Sequence, residues 1–239
     1  MKILAIDSSG LVATAAVVED EQMIAEYTVN FKKTHSQTLV PMLAEIKNMI
    51  ALDLSSIDAI AVAKGPGSFT GLRIGSATAK GLGLALDKPI ISVPTVDALS
   101  YNAWGTNMLV CPIMDARRNQ VYTGIYSFQN GVHHIIKEQC ALAVEELCKA
   151  LNEQKREVLF LGDGVPVYRE QLEKQLTVPY QFAPAHMARQ RAGALGVLAF
   201  GYLKDGKTET AAEHKPDYLR LSQAERERIE KEKQVTVHA

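Results

Sequence analysis

The sequence predicts an α/β protein of two similar lobes with a cleft between them, and three observations lead there. The order of three strands, helix, strand, helix occurs twice along the 239 residues. Each copy opens on an apolar strand that ends in an acid, Asp7 and then Asp115, and in each a later strand ends in glycines. An apolar content of 47% can fill one large core or two small ones, and 22% charged residues exclude a disordered polymer.

Taken in order, "KILAID" is a short apolar run closed by an acid, and "TAAVVED" and "MIAEYTV" read as strands around the polar turn "EDEQ". "LVPMLAEIKNMIAL" carries apolar residues at helical spacing; Thr34 and His35 can begin that helix, with Pro41 either near its start or kinking it. "IDAIAVAKGPG" reads as a buried strand running into a glycine turn, "LRIGSATAKGLGLAL" as a second helix, and "KPIISV" as a further strand. After the turn-rich junction "YNAWGTN" the order restarts: strands "MLVCPIMDARR", "QVYTGIYSF" and "VHHIIKEQ", helix "AVEELCKALNE", strand "EVLFLGDG", helix "VYREQLEKQL". We therefore place one lobe at residues 1–104, a smaller one at 105–220 and a charged tail at 221–239. "ARQRAGALGVLAFGYLKDG" is a last helix ending at Gly206. "SQAERERIEKEKQ", with Glu227 and Lys231 one turn apart, reads as a solvated helix or frayed tail without function.

A formal net charge of −1 supplies no bulk field for a polyanion such as tRNA, so any nucleic-acid role must lean on a local patch or a partner. Cys111, Cys140 and Cys148 form no C-x-x-C pair and suit a reducing compartment. With no apolar run near the length of a membrane span, the expectation is a cytoplasmic chain without signal peptide or membrane segment.

A strand ending in Asp followed by Ser-Ser, echoed by a strand ending in Asp-Ala-Arg-Arg, is how actin-like ATPases flank a triphosphate. Asp7, Ser8, Ser9 and Asp115 suit such a nucleotide cleft, and Gly162 and Gly164 of "GDG" would let backbone approach an adenosine. Acids at strand ends are also ordinary turn formers. "GPGSFTGLR" lacks the Gly-Lys-Ser/Thr end of a phosphate cradle. The six histidines show no ligand spacing and read as surface or capping residues, and no G-x-S-x-G elbow occurs.

The helix after the glycine turn says more. Gly71, Gly75, Ala79 and Gly83 recur every four residues, a ridge almost without side chains, and interior glycine costs about 1 kcal/mol against alanine. Close approach by another helix would supply a reason. Leu72, Leu82 and Leu86 lie on one side and Ile74, Ala77, Leu84 and Ala85 on the other, leaving Arg73, Ser76 and Lys80 as a narrow polar strip. On the preceding helix Leu39, Leu43, Ile46 and Ile50 make a core stripe that Met42 and Met49 extend sideways. The expected partner interface comprises Leu39, Met42, Leu43, Ile46, Met49, Gly71, Leu72, Arg73, Gly75, Ala79 and Leu82, two helices set against two of a similar partner.

"MKILAIDSS", "HSQTLVPML", "IAVAKGPGSFTGLRIGSATAKGLGLAL", "PIISVPTVDAL", "MDARRNQVY" and "PDYLR" together closely resemble the TsaB (YeaZ-type) family, a subunit of the bacterial machinery for threonylcarbamoyladenosine in tRNA. The likeness is strong to about residue 100 and looser beyond. It implies an actin, sugar-kinase and heat-shock ATPase type (ribonuclease H-like) fold with a reduced second lobe. It also implies a non-catalytic scaffold that pairs through its first two helices with a larger catalytic paralogue, TsaD, joined by a small ATPase, TsaE. That assembly transfers threonylcarbamoyl to the adenosine beside the anticodon of tRNAs reading codons that start with A. A homodimer in the partner's absence, no required cofactor and weak ATP or ADP binding fit the same picture.

In the catalytic paralogue an H-x-x-x-H pair follows the strand that corresponds to "PIISV"; here Thr95 and Leu99 stand in those places, neither a useful metal ligand. "DARRNQVY" departs from the family in having Asn119-Gln120 where relatives often have Gly-Glu. Arg117 and Arg118 could bind phosphate of a nucleotide or tRNA, although a surface arginine pair is usually just solvated. The alternatives are an independent ATP-binding kinase or ATPase that uses Asp7 and Asp115 about Mg·ATP, and a metallopeptidase, which would need a bound metal.

Overall fold

Strand β1 (Lys2–Asp7) is buried over almost its whole length, which requires cover on both faces of its sheet. Alternation divides its side chains: Ile3 and Ala5 enter one apolar cluster, Leu4 and Ile6 the clusters on the opposite face. The computed structural model describes residues 1–20, 22–31 and 34–219. In the first lobe β1 is followed by β2 (Ala13–Glu19), β3 (Gln22–Val29), α1 (His35–Met49), β4 (Ala59–Gly65), α2 (Phe69–Leu86), β5 (Ile90–Pro94) and α3 (Thr95–Ser100). The second lobe repeats that order: β6 (Leu109–Asp115), β7 (Gln120–Gln129), β8 (Val132–Ala143), α4 (Val144–Gln154), β9 (Val158–Leu161), α5 (Val165–Gln175), β10 (Tyr180–Phe182) and α6 (Ala192–Lys204).

The two sheets are ordered β3-β2-β1-β4-β5 and β8-β7-β6-β9-β10. In each, the first strand pairs antiparallel with the second and parallel with the fourth. This duplicated unit is the actin and sugar-kinase type fold. The second lobe is the reduced copy: α4 and α5 have 11 residues each, against 15 in α1 and 18 in α2, and β10 has 3. The tail sequence "SQAERERIEKEKQ" lies outside the described residues.

Each lobe's closing helix crosses over. Ala192, Leu195, Ala199 and Phe200 of α6, at the end of the second lobe, pack on Ile3, Ala5, Ala16, Val18, Ala61 and Val93 of the first sheet. Val96 and Leu99 of α3 pack on Val110, Met114, Tyr126, Phe128, Leu159 and Leu161 of the second. The sequence reading missed α3 and β10, which are too short to show a period. Of the two starts the sequence allowed for α1 the structure takes the earlier: Thr34 is the N-cap residue and the helix begins at His35, so Pro41 sits inside it. Met42 belongs to its core face beside Leu39 and Ile46, whereas Leu43 and Ile50 are half-buried and Met49 is exposed. Ser76, expected in a polar strip, is buried.

A polar network seals the crossing of α3. The Tyr126 hydroxyl donates to Asp97 Oδ1 at 2.6 Å, and burial raises both pKa values, the Tyr126 phenol strongly. His133 stacks on Tyr126 at 5.1 Å with its Nε2 2.9 Å from Ser100 Oγ. Burial, helped by His134, lowers the His133 pKa to about 4. A base depressed in the folded state contributes stability that is present above its unfolded pKa and lost as pH falls towards its folded value. The stability of the wild-type chain relative to His133→Phe should therefore fall by about 1–2 kcal/mol as denaturant titrations go from roughly pH 6.5 to 4, allowing for partial exposure.

Candidate functional site

Between the lobes lies a cleft of about 850 Å³. The first lobe lines it with Ser9 and Gly10 after β1, Thr34 and His35 at the start of α1, and Ser68 and Thr70 at the start of α2. Asp115, Arg117 and Asp163 face them from the second lobe, and Asp217 and Tyr218 of the C-terminal segment close one wall.

At the end of β1, Asp7 is 1% exposed, and its Oδ1 accepts from Ser9 N at 2.8 Å and Ser9 Oγ at 2.6 Å, the turn chemistry ordinary for a strand-end acid. Burial raises its carboxyl pKa to about 6, against the pull of the Ser9 hydrogen bonds and of His35. Ser8 Oγ donates to Gly71 O at 2.8 Å, and Ser68 N donates to Ser9 O at 2.7 Å. The segment "GPGSFTG" thus clasps the turn of its own first strand. The small-residue ridge of α2 is spent on that clasp, not on a partner helix: a Cβ on Gly71 would collide with Ser8 O, and one on Gly75 would lie 2.6 Å from Ser8 Oγ. Ala79 and Leu72 are likewise buried within the lobe.

The second lobe mirrors this arrangement. Asp115 Oδ1 accepts from Arg117 N at 2.8 Å and from the Tyr168 hydroxyl at 2.9 Å, while Oδ2 meets the Arg117 guanidinium at 3.1 Å. Asp163 Oδ1 accepts from Asp115 N at 3.1 Å, and burial raises the Asp163 pKa. Gly162 has φ 107°, and a side chain there would strike Ile113 O; Gly164 N donates to that same carbonyl at 3.0 Å. Of the six residues expected at a nucleotide, Ser9 and Asp115 line the cleft, whereas Asp7, Ser8, Gly162 and Gly164 stand behind it. Sequence reasoning missed Asp163, although it lies between the two glycines it singled out.

It also missed the wall made by the C-terminal segment, whose signal was the "PDYLR" motif. Asp217 N bonds to Lys64 O at 2.6 Å, the Tyr218 ring packs on Phe69 at 4.6 Å, and Arg73 lies over Phe69 at 4.0 Å with its Nε 3.4 Å from the Tyr218 hydroxyl. Farther along the segment, His214 corrects the expectation of surface histidines. It is 1% exposed, with Nδ1 2.8 Å from Ser92 Oγ and 2.9 Å from Glu209 Oε1. Thr95 and Leu99 are both buried, and Thr95 Oγ1 accepts from Gly65 N at 3.2 Å. Among the described residues no three His, Cys, Asp or Glu side chains gather as a metal site, and no helix is long and apolar enough to cross a membrane.

A family model described as TsaD, tRNA N6-adenosine threonylcarbamoyltransferase, matches residues 22–228. The tRNA threonylcarbamoyladenosine biosynthesis protein TsaB of Bacillus subtilis is 37% identical, over 98% of this chain and 100% of its own length. TsaB of Escherichia coli is 29% identical over 92% of this chain and 95% of its own. The solved structure of YeaZ from Pseudomonas aeruginosa matches with a TM-score of 0.78 at 26% identity, covering 91% of this chain and 99% of that one.

A carboxyl raised from 3.8 to about 6 gives stability that is present below the unfolded pKa and lost as pH rises through the folded one. Asp7→Asn keeps an acceptor for Ser9 and removes that loss. Denaturation of the variant at neutral pH should show a gain of about 2–3 kcal/mol that vanishes below about pH 4. Gly71→Ala should instead destabilise by about 2 kcal/mol or more, because the colliding carbonyl is backbone.

Proposed function

Because the chain belongs to the TsaB (YeaZ-type) family, we propose that within tRNA threonylcarbamoyladenosine biosynthesis it is a cytoplasmic, non-catalytic scaffold subunit. It pairs through α1 and α2 with a TsaD-type catalytic paralogue and works with a TsaE-type ATPase on tRNA. One observation carries this reading. After each helix has buried its inner face, an apolar outer face remains, with Val40 58%, Met49 77% and Leu84 70% exposed. Along it Ala77, Gly81 and Ala85 are exposed at intervals of four, and a Cβ on Gly81 would meet nothing within 4 Å. A second row of small residues therefore lies open on the outside of α2, where a helix could approach closely. The same face would let two copies pair when the paralogue is missing.

The non-catalytic assignment draws support from the cleft. The strand-end acids are already engaged: Asp7, behind the cleft, by Ser9, and Asp115, lining it, by Arg117 and Tyr168. Thr95 and Leu99, which the matching of strand ends puts where the paralogue's two histidines would be, are buried in apolar and backbone contacts. An independent ATPase is the second reading, favoured by the volume of the cleft and the hydroxyls of Ser9, Ser68 and Thr70 along it. Among the described residues three carboxylates, Asp115, Asp163 and Asp217, face the cleft beside the guanidinium of Arg117, a charge balance that weakens a hold on a triphosphate and fits at most weak ATP or ADP binding.

The test uses positions on the open face. Gly81→Ala should stabilise the chain by up to about 1 kcal/mol, and Gly81→Leu and Ala77→Glu should fold normally yet fail to capture the paralogue from cell extract, read by mass spectrometry. Depletion of the chain should lower threonylcarbamoyladenosine in tRNA. Undiminished capture by both variants would refute the interface. Turnover of ATP by the purified chain, lost in Asp7→Ala, would favour the second reading.

A further inference from the structure

The turn between β6 and β7 holds three consecutive non-glycine residues, Arg117, Arg118 and Asn119, in the left-handed region, at φ 64°, 56° and 58°. L residues enter this region singly, mostly as asparagine or aspartate, because Cβ crowds the following carbonyl. Such strain persists only where its surroundings fix it. Here Arg117 N and its guanidinium are both held by Asp115, at 2.8 and 3.1 Å, and Tyr168 holds Asp115 from behind at 2.9 Å. Ala116 N donates to Gln120 O at 3.0 Å, Gln120 N to Arg117 O at 3.2 Å, and Val144 N to Asn119 O at 3.3 Å. The turn is rigid, and it carries Arg118 and Asn119 exposed at the rim of the cleft. No described residue forms an ion pair with Arg118. Glycine would build the same turn without strain, so folding does not account for arginine at 118.

We propose that the Arg117–Arg118 turn is a contact site for the phosphodiester backbone of the RNA on which the complex acts, a reading that rests on the proposed place in tRNA modification. A guanidinium presents a planar fork that matches phosphate oxygens, and a fixed loop lowers the entropy lost in making the contact. Charge favours a backbone phosphate over a free nucleotide. Inward of the turn lie Asp115, Asp163 and Asp217, which repel a bare triphosphate, while Arg118 stands on the exposed side. In a chain of net charge −1, a local contact of this kind is the way to hold RNA without a bulk positive field.

The experiment titrates fluorescein-labelled tRNA anticodon stem–loop with the chain bound to its captured paralogue, over a range of KCl concentrations. Arg118→Ala should weaken binding several-fold and lower the slope of log K against log [KCl] by about 0.7–0.9, the loss of one phosphate contact. Capture of the paralogue and the unfolding midpoint should stay unchanged, and excess ATP should not displace the RNA. Arg118→Gly should raise the unfolding midpoint while weakening RNA binding, a split that a purely structural arginine would not produce. Unchanged affinity and slope in Arg118→Ala would overturn the proposal. So would displacement by ATP that depends on Arg118, which marks a nucleotide site, or loss of the paralogue in that variant, which marks an acidic protein contact. If the wild-type chain captures no paralogue, the subunit reading falls; the titration then uses the full chain alone, where the same Arg118-dependent slope is required.

Discussion

Everything in this molecule depends on the exchange of closing helices between the lobes. A five-stranded sheet has two faces to cover, and α1 with α2, or α4 with α5, covers only one. The other face of the first sheet is covered by α6 and that of the second by α3, so neither lobe has a complete core of its own. The side chains follow from this. Ala5, Ala16, Ala59, Ala61 and Ala63 keep the inner surface of the first sheet shallow, and Ala192 and Ala199 do the same for α6, so two backbones approach closely over a wide apolar area. The buried Asp97–Tyr126 bond would be costly to expose, which makes the crossing a joint and not a hinge.

With the lobes fixed, the cleft inherits its shape from backbone clasps at the ends of β1 and β6. In the first lobe the glycine turn and α2 close on Ser8 and Ser9; in the second, Gly162 and Gly164 close on Ile113. Both clasps pull the strand-end acids toward their own neighbours. Asp7 is the more expensive case, because a carboxyl held away from water is harder to ionise, its pKa raised to about 6.

The two sides of α2 then serve different ends. One row of small residues, Gly71, Gly75, Ala79 and Gly83, admits the chain's own β1 turn and C-terminal segment; the other, Ala77, Gly81 and Ala85, is left outside. Arg73 links the outer face to the cleft wall through Phe69 and Tyr218.

Much of the fold was legible in the residues because strand and helix periods are local: the repeat from "KILAID" and again from "MLVCPIMD", the strand-end acids and the second helix from the glycine turn are all written in short windows. The shortest elements, α3 and β10, carry no period and stayed hidden. The sequence by itself determined which residues could build each element and that α2 is apolar nearly all round. Only the tertiary structure decided which of its two small-residue rows faces inward, because both repeat every four residues and differ only in what lies opposite them. It likewise decided that Asp7, Ser8, Gly162 and Gly164 stand behind the cleft and Asp163 within it, since a side chain's exposure depends on neighbours brought from distant parts of the chain.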